Sequence, residues 1–391
     1  MRNLVFVFTL FFHLSLFAQK PLCYIYDRNT LKLDSIVSFE YDKSIVSDRT
    51  NYKAVTDIQY LYEAIDTFKT HNESDFTLKY KVAEHFDINK FPLTAAIKTL
   101  TIKNEQIKGH CSAIMVSPKH ILTAAHCHST FGNQVGPHLQ LLNQDSTFFA
   151  CPAFDGSLNQ NFDCSNISKL YIFNYADIAL LELEDPIGYQ TGWVGTEFDT
   201  EIDLKTSYFY NFSYPGPVRY PITLLDSSIY NGDTLYFKMG NATSTNNKSI
   251  VIQDSFGNPG ESGSALMRVI NDEAYYTNAI MCCGGLIFDK LVPEIFFTIK
   301  SIISESINVV NDHKQESISI FPNPTKDIVH IVFDETSYSS IKIFDWNGNL
   351  LVTKTISEDS HQLDFNNKPD GVYYLLFESI SGLKMKKIIK I

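Results

Sequence analysis

The stretch Leu122–Thr130, "LTAAHCHST", places two histidines and a cysteine within nine positions, and its reading decides the fold. Such a cluster suits three chemistries: a metal site, a buried histidine beside a disulfide, or the base of a hydrolytic site. His126 and His128 stand too close together for common zinc spacing, and no spaced second ligand pair accompanies them. No metal and no cofactor are therefore expected, and His128 is read as an exposed neighbour. The rest turns on what distant residues bring to His126.

The chain has 391 residues, 44% hydrophobic and 13% aromatic, enough for two or three domains with real cores. Much of it alternates apolar with polar residues, a β-rich signature. The formal net charge is -12, and no cluster of Lys or Arg offsets it. That excludes a nucleic-acid partner, because phosphate binding requires a basic surface.

The N-terminus, "MRNLVFVFTLFFHLSLFAQK", sets a positive Arg2 before the apolar run Leu4–Phe17 and the small Ala18. The run is shorter than the roughly 20 residues a bilayer span needs. Residues 1–18 are thus expected to be a signal peptide cut before Gln19, with no transmembrane segment left after its removal. Export changes the meaning of the seven cysteines, Cys23, Cys111, Cys127, Cys151, Cys164, Cys282 and Cys283. In an oxidising compartment they read as disulfide partners rather than metal ligands, and the odd count leaves at least one unpaired or bonded between chains. The adjacent Cys282 and Cys283 are expected to face different partners, Cys23 being a candidate.

Texture divides the chain beyond residue 18. Residues 19–89 form a mixed N-terminal extension or pro-segment, where "TDIQYLYEAIDTFKTHN" (Thr56–Asn72) sets Ile58, Leu61, Ile65 and Phe68 on one helical face. Residues 90–310 show short strands punctuated by Gly, Pro, Asn and Asp, and close on "VPEIFFTIKSIISESI" (Val292–Ile307), spaced as a terminal helix. Residues 311–317 are a polar linker. Residues 318–391 alternate again, carry no cysteine and contain the hairpin signal Asn347-Gly348, which predicts a small β-sandwich.

Within residues 90–310, nucleophilic acyl transfer has a candidate for each of its parts. A serine needs a base to take its proton, an anion to orient the charged imidazole, and amides to hold the oxyanion. His126 is the candidate base. Asp177 opens the apolar strand of "NYADIALLELEDP" (Asn174–Pro186) and so is placed to bury a carboxylate against it. Asp155 and Asp163 lie in a polar loop, while Glu182 and Asp185 lie further along the strand and at its end. Ser262 lies in "GNPGESGSALM" (Gly257–Met267), where Gly260 and Gly263 permit a tight turn that aims the Gly260 and Ser262 amides at one point.

"CSAIMVSPKHILTAAHC" (Cys111–Cys127), "ADIALLEL" (Ala176–Leu183) and "GESGSAL" (Gly260–Leu266) resemble the three catalytic blocks of trypsin-like serine peptidases, in the order His, Asp, Ser. The resemblance covers roughly residues 90–307. "GESGSAL" and "FYNFSYPG" (Phe209–Gly216) are more similar to the bacterial glutamyl-endopeptidase-like branch than to animal trypsins. The resemblance implies an all-β chymotrypsin-like fold of two six-stranded antiparallel β-barrels with a C-terminal helix. It also implies disulfides Cys111–Cys127 and Cys151–Cys164. "MCCGGL" (Met281–Leu286) matches the substrate-binding strand, so Cys282, Cys283 and Gly284, with Phe256, are expected to line the substrate site.

Three positions depart from the family pattern. Glu261 stands where relatives carry Asp or Asn, an acid that in animal trypsins pairs with a new amino terminus after activation cleavage; Lys90–Phe91 is a conceivable processing point here. Ala265 replaces a usual proline. Cys282 stands where glutamate-selective relatives have histidine, and Phe256 where trypsins have their pocket acid, so neither specificity carries over and an apolar or small side chain is the expected preference.

Near the C-terminus, Pro322-Asn323-Pro324, Gly371-Val372-Tyr373 and the lysine-rich strand from Lys384 are similar to the C-terminal sorting domain of type IX secretion. The implied partners are protein or peptide substrates and that secretion machinery, with export through the periplasm and outer membrane to the cell surface or medium. The expected activity is a secreted serine endopeptidase working through an acyl-enzyme. The alternative is a catalytically silent cell-surface binding protein on the same scaffold.

Overall fold

In the computed structural model, the apolar runs "HILT" (His120–Thr123) and "ALLEL" (Ala179–Leu183) become neighbouring strands buried almost throughout. The structure describes residues 22–28, 32–37, 41–55, 79–103, 106–130, 140–141, 147–155, 162, 164–200, 204–217, 230–252, 257–270, 274–283, 287–312, 318–323, 325–333, 338–345, 350–356, 360–379 and 382–390. The expected signal peptide, the Thr56–Asn72 helix, the Asn347-Gly348 turn and residues 313–317 of the linker lie outside these.

Two compact units emerge, residues 1–304 and 305–391. In the first, the strands Thr147–Pro152, Ala96–Lys103, Gln106–Met115, His120–Thr123, Ala179–Leu183 and Ser165–Phe173 pair in that order. Pairing of Thr147–Pro152 with Ser165–Phe173 closes them into a six-stranded antiparallel barrel. By register Ile97, Ile121, Leu181 and Ile172 share one face of its wall, each at 1% exposure or less. Close packing of branched side chains suits a surface whose residues alternate in and out.

A second sheet runs Ser249–Val251, Ile287–Lys290, Ala274–Cys283, Ala265–Ile270, Tyr208–Ser213 and Tyr236–Asn241. Among the described residues it is a half-barrel, with Gly195–Asp199 joining Ala274–Cys283 in parallel. The helix Pro293–Asp312 begins in this unit and buries Ile295, Ile299, Ile302 and Ile303 in its core, a 3.6-residue stripe.

The N-terminal residues are woven into both sheets. Cys23–Asp27 pairs with Ser165–Phe173, Ser47–Arg49 with Gly195–Asp199, and Tyr80–Lys81 with Tyr236–Phe237. Phe91, beside the conceivable processing point, is fully buried.

The second unit is a sandwich of two antiparallel sheets. One holds Ile318–Phe321, Ile328–Phe333 and Ser360–Asp364; the other holds Leu350–Thr355, Tyr338–Asp345, Gly371–Ser379 and Gly382–Lys390. Val329, Ile331, Ile341, Phe365, Leu375, Phe377 and Ile388 form its core. The Asn323 side chain accepts the Ile389 amide at 2.9 Å, so the loop carrying the first proline motif pins the closing strand.

Candidate active site

Strand register brings the first two candidates together. Thr123 lies opposite Ala179, so the chain leaving one strand meets the chain entering the other. Beyond Thr123 a 3-10 turn, Ala125–Cys127, presents His126 to Asp177. Asp177 Oδ2 receives His126 Nδ1 at 2.5 Å, and Oδ1 accepts the main-chain amide of His126 at 2.9 Å. Both carboxylate oxygens are thus spent on one residue, which fixes the ring and its tautomer with Nδ1–H toward Asp177. The hydrogen bond to Asp177 raises the imidazole pKa above its ordinary value, against the opposing pull of burial.

Ser262, half-buried, is tied in by its main chain. Its carbonyl oxygen accepts the Ser112 amide at 2.9 Å and lies 3.9 Å from Cys127 Sγ, one residue beyond His126. The Ser112 hydroxyl donates to Gly260 O at 2.7 Å and accepts from the Tyr214 amide at 2.9 Å, clamping the loop from the other side. Among the described hydrogen bonds none links Ser262 Oγ to His126 Nε2; the serine is tied to the histidine turn through its main chain, beside Cys127.

Gly260 and Gly263 adopt φ of 90° and 86°, values a side chain resists. A Cβ at Gly260 would strike the His110 ring and the Tyr214 carbonyl, and one at Gly263 would strike Thr123 Oγ1 and Ser112 O. The amides of Glu261, Gly263 and Ser264 donate to Asn258, Met281 and Glu261 carbonyls respectively. Among the described residues the amides of Gly260 and Ser262 donate to none. These are the two assigned from sequence to an oxyanion site.

Several important contacts escape a reading of the sequence. Glu261 is fully buried and carries ion pairs to Lys79 at 2.7 Å and Lys238 at 3.1 Å, with the Ser213 hydroxyl donating at 2.9 Å. Burial pushes its carboxyl up, but the two ammoniums outweigh that and hold it below the usual carboxylate range. Behind the other acid, Asp289 Oδ2 accepts the Asp177 amide at 2.7 Å. Burial raises the Asp289 pKa. No local motif marks Lys79, Lys238 or Asp289; strand pairing assembles them.

The cysteines divide into bridged and free. Cys111 bridges Cys127, and Cys151 bridges Cys164. Cys23 is a buried free thiol rather than a partner for the adjacent pair, and burial raises its pKa. Cys282 is buried, with Sγ directed at Ile287 O (3.4 Å) and Asp289 Oδ1 (3.6 Å), so it backs the aspartates. Phe256, Gly284 and the Cys283 side chain lie outside the described residues. Glu182 is engaged by the Tyr171 hydroxyl at 2.8 Å, away from His126.

His128 requires a correction: it is buried at 2% exposure, packed against the Phe148 ring at 5.0 Å, and not exposed. The Ala125–Cys127 turn has about three residues per revolution, so residues two apart point in different directions. His126 faces Asp177 and His128 the Phe148 ring. Burial, with Arg28 nearby, lowers the His128 pKa to about 3, and it is neutral there.

Comparison with known proteins gives two family matches. Residues 86–271 match the trypsin family, and residues 319–391 match the secretion system C-terminal sorting domain. No curated protein matches the chain. Among solved structures, a Glu endopeptidase in complex with MPD is similar at 17% identity and a TM-score of 0.43, covering 58% of this chain and 96% of that one.

Proposed function

Taking the chain as a trypsin-like serine peptidase with a type IX secretion sorting tail, we propose that it is an exported endopeptidase using His126, Asp177 and Ser262 in an acyl-enzyme mechanism. The observation that carries this reading is the double grip of Asp177 on His126, beside the loop that holds Ser262. Ser262 Oγ attacks the peptide carbonyl as His126 Nε2 takes its proton. The carbonyl oxygen becomes negative and is received by the free amides of Gly260 and Ser262. The same imidazole then returns the proton to the departing amine, and water repeats the sequence on the acyl-enzyme. Throughout, Asp177 stabilises the imidazolium.

The disulfide Cys111–Cys127 supports this role by anchoring the turn that carries His126. Protein or peptide substrates follow from the reaction. The tail supplies an address for export to the surface or medium, with the route through periplasm and outer membrane part of the proposal. Among the described residues no helix is long and apolar enough to cross a membrane.

A fluorophosphonate probe tests the reading. Wild type labels and hydrolyses a peptide library, and Ser262→Ala does neither, with turnover down on the order of 10³-fold or more. A folded wild type that neither labels nor cleaves sinks the peptidase mechanism and leaves a binding protein on this scaffold.

A further inference from the structure

The Tyr80–Lys81 strand pairs with Tyr236–Asn241 so that Tyr80 lies opposite Phe237. Extending that register by one residue sets Lys79 opposite Lys238. Their two ammonium groups converge on Glu261, one on each carboxylate oxygen. Neither is a surface lysine: the Lys79 side chain is 4% exposed and that of Lys238 is fully buried. Lys79 Nζ also donates to Asn258 Oδ1, and Asn258 in turn gives its amide N–H to Glu261 Oε2 at 2.5 Å and its side-chain Nδ2 to Gly216 O at 3.1 Å. Asn258 and Glu261 flank Gly260, and Glu261 directly precedes Ser262. The Lys79 ammonium therefore grips the oxyanion loop on both sides of Gly260.

We propose that Lys79 is a positioning residue, donated by the N-terminal extension, that holds the Gly260 and Ser262 amides in place for catalysis; this rests on the endopeptidase reading. The extension is then a working part of the enzyme and not a segment whose removal activates it. A buried ammonium supplied in cis already does what a cleavage-generated amino terminus would have to do at Glu261. Phe91 at the conceivable cleavage point is sealed in the core.

Charge counting gives the cluster a pH dependence. One carboxylate faces two ammoniums, so a full proton is in excess in a dry site. Burial lowers the Lys79 pKa to about 8, with Glu261 opposing and Lys238 reinforcing the shift. Among the described residues the remaining titratable neighbour is Tyr230, whose ring lies 5.0 Å from Lys79 Nζ and whose hydroxyl is kept neutral by a pKa that burial raises. The grip is complete well below pH 8 and loosens as pH rises through it.

The test compares full-length wild type with Lys79→Met and Lys79→Arg, measuring kcat and KM against pH. The expected result is a wild-type kcat that falls above about pH 8, with KM changed less than about 3-fold. Lys79→Met loses kcat by about 10- to 100-fold at pH 7, short of the roughly 10²–10³ expected for deleting an oxyanion donor outright. Lys79→Arg restores most of the turnover and abolishes the alkaline fall, because a guanidinium does not titrate there. A Lys79→Met enzyme with wild-type kcat overturns the proposal. If that variant does not fold, an alkaline fall identical in wild type and Lys79→Arg overturns it instead. A wild type inert to peptide and fluorophosphonate removes the endopeptidase reading itself, and this is seen before any variant is made.

Discussion

Asp289 accepts the main-chain amide of Asp177 at 2.7 Å, so one aspartate is held in place by another. The contact fixes the chain at Asp177 while leaving both of its side-chain oxygens to His126. It runs from the Ile287–Lys290 strand of the second sheet to the chain entering the Ala179–Leu183 strand of the first barrel. Asp289→Ala removes the acceptor and leaves a part-buried amide unpaired. A fall in kcat of about 10-fold or more is expected, with a stability loss of about 1–3 kcal/mol. Asp289→Asn keeps an acceptor oxygen and should retain most activity. Equal, unimpaired kcat in both variants would show that the contact is incidental.

The acid limb of activity follows from His126. Its pKa is raised by Asp177, so the protonated, inactive imidazolium persists to a higher pH than for a free histidine with its value of 6.5. Activity is present above this raised pKa and disappears as pH falls through it. The kcat/KM profile should place the limb above 6.5. Asp177→Asn loses both the charge and the correct tautomer, and turnover is expected to fall on the order of 10⁴-fold. A limb below 6.5 in wild type would contradict the hydrogen-bonded pair.

Ser112→Ala tests the clamp between barrel and loop. Its hydroxyl serves Gly260 O and the Tyr214 amide at once, and it is buried at 1% exposure. Removing it orphans two buried backbone groups, at about 1–3 kcal/mol each. The melting temperature should drop, and kcat should fall more than KM rises because the Gly260 amide is released.

Reduction of the Cys111–Cys127 bridge is expected to loosen the base. The bridged residues are 16 apart in sequence, a loop worth about 3 kcal/mol in the chain-entropy model. The double variant Cys111→Ala/Cys127→Ala should lower the urea midpoint accordingly and reduce kcat. An unchanged midpoint would contradict a structural role for the bridge.

His128 predicts an acid weakness. Its folded pKa of about 3 lies below the free value of 6.5, so the unfolded chain binds the extra proton first. Stability is full above pH 6.5 and declines as pH falls from there toward 3. Both ring nitrogens lack a hydrogen-bond partner among the described residues, so the group contributes nothing that a hydrocarbon would not. His128→Leu should show a shallower loss of urea midpoint between pH 7 and 4 than wild type.

The sequence is legible where chemistry is written in short, contiguous blocks. His126, Asp177 and Ser262 each sit in a local pattern, and alternating hydrophobicity announces both the barrel strands and the terminal sandwich. Illegible residues owe their places to register. Lys79 meets Glu261 only because Tyr80 pairs with Phe237, and Asp289 meets Asp177 only across two sheets. His128 is misleading in sequence because adjacency along the chain suggests adjacency in space, which a 3-10 turn reverses.

The pairing of Cys23–Asp27 with Ser165–Phe173 has a consequence for biogenesis. Cys23–Asp27 meets Lys32–Val37 locally, but its other neighbour, Ser165–Phe173, lies far along the chain, an arrangement whose long loop closure slows folding. This edge can therefore zip shut only once the chain has been made through Phe173. Pulse proteolysis of nascent chains truncated before and after Phe173 would reveal protection appearing only in the longer set.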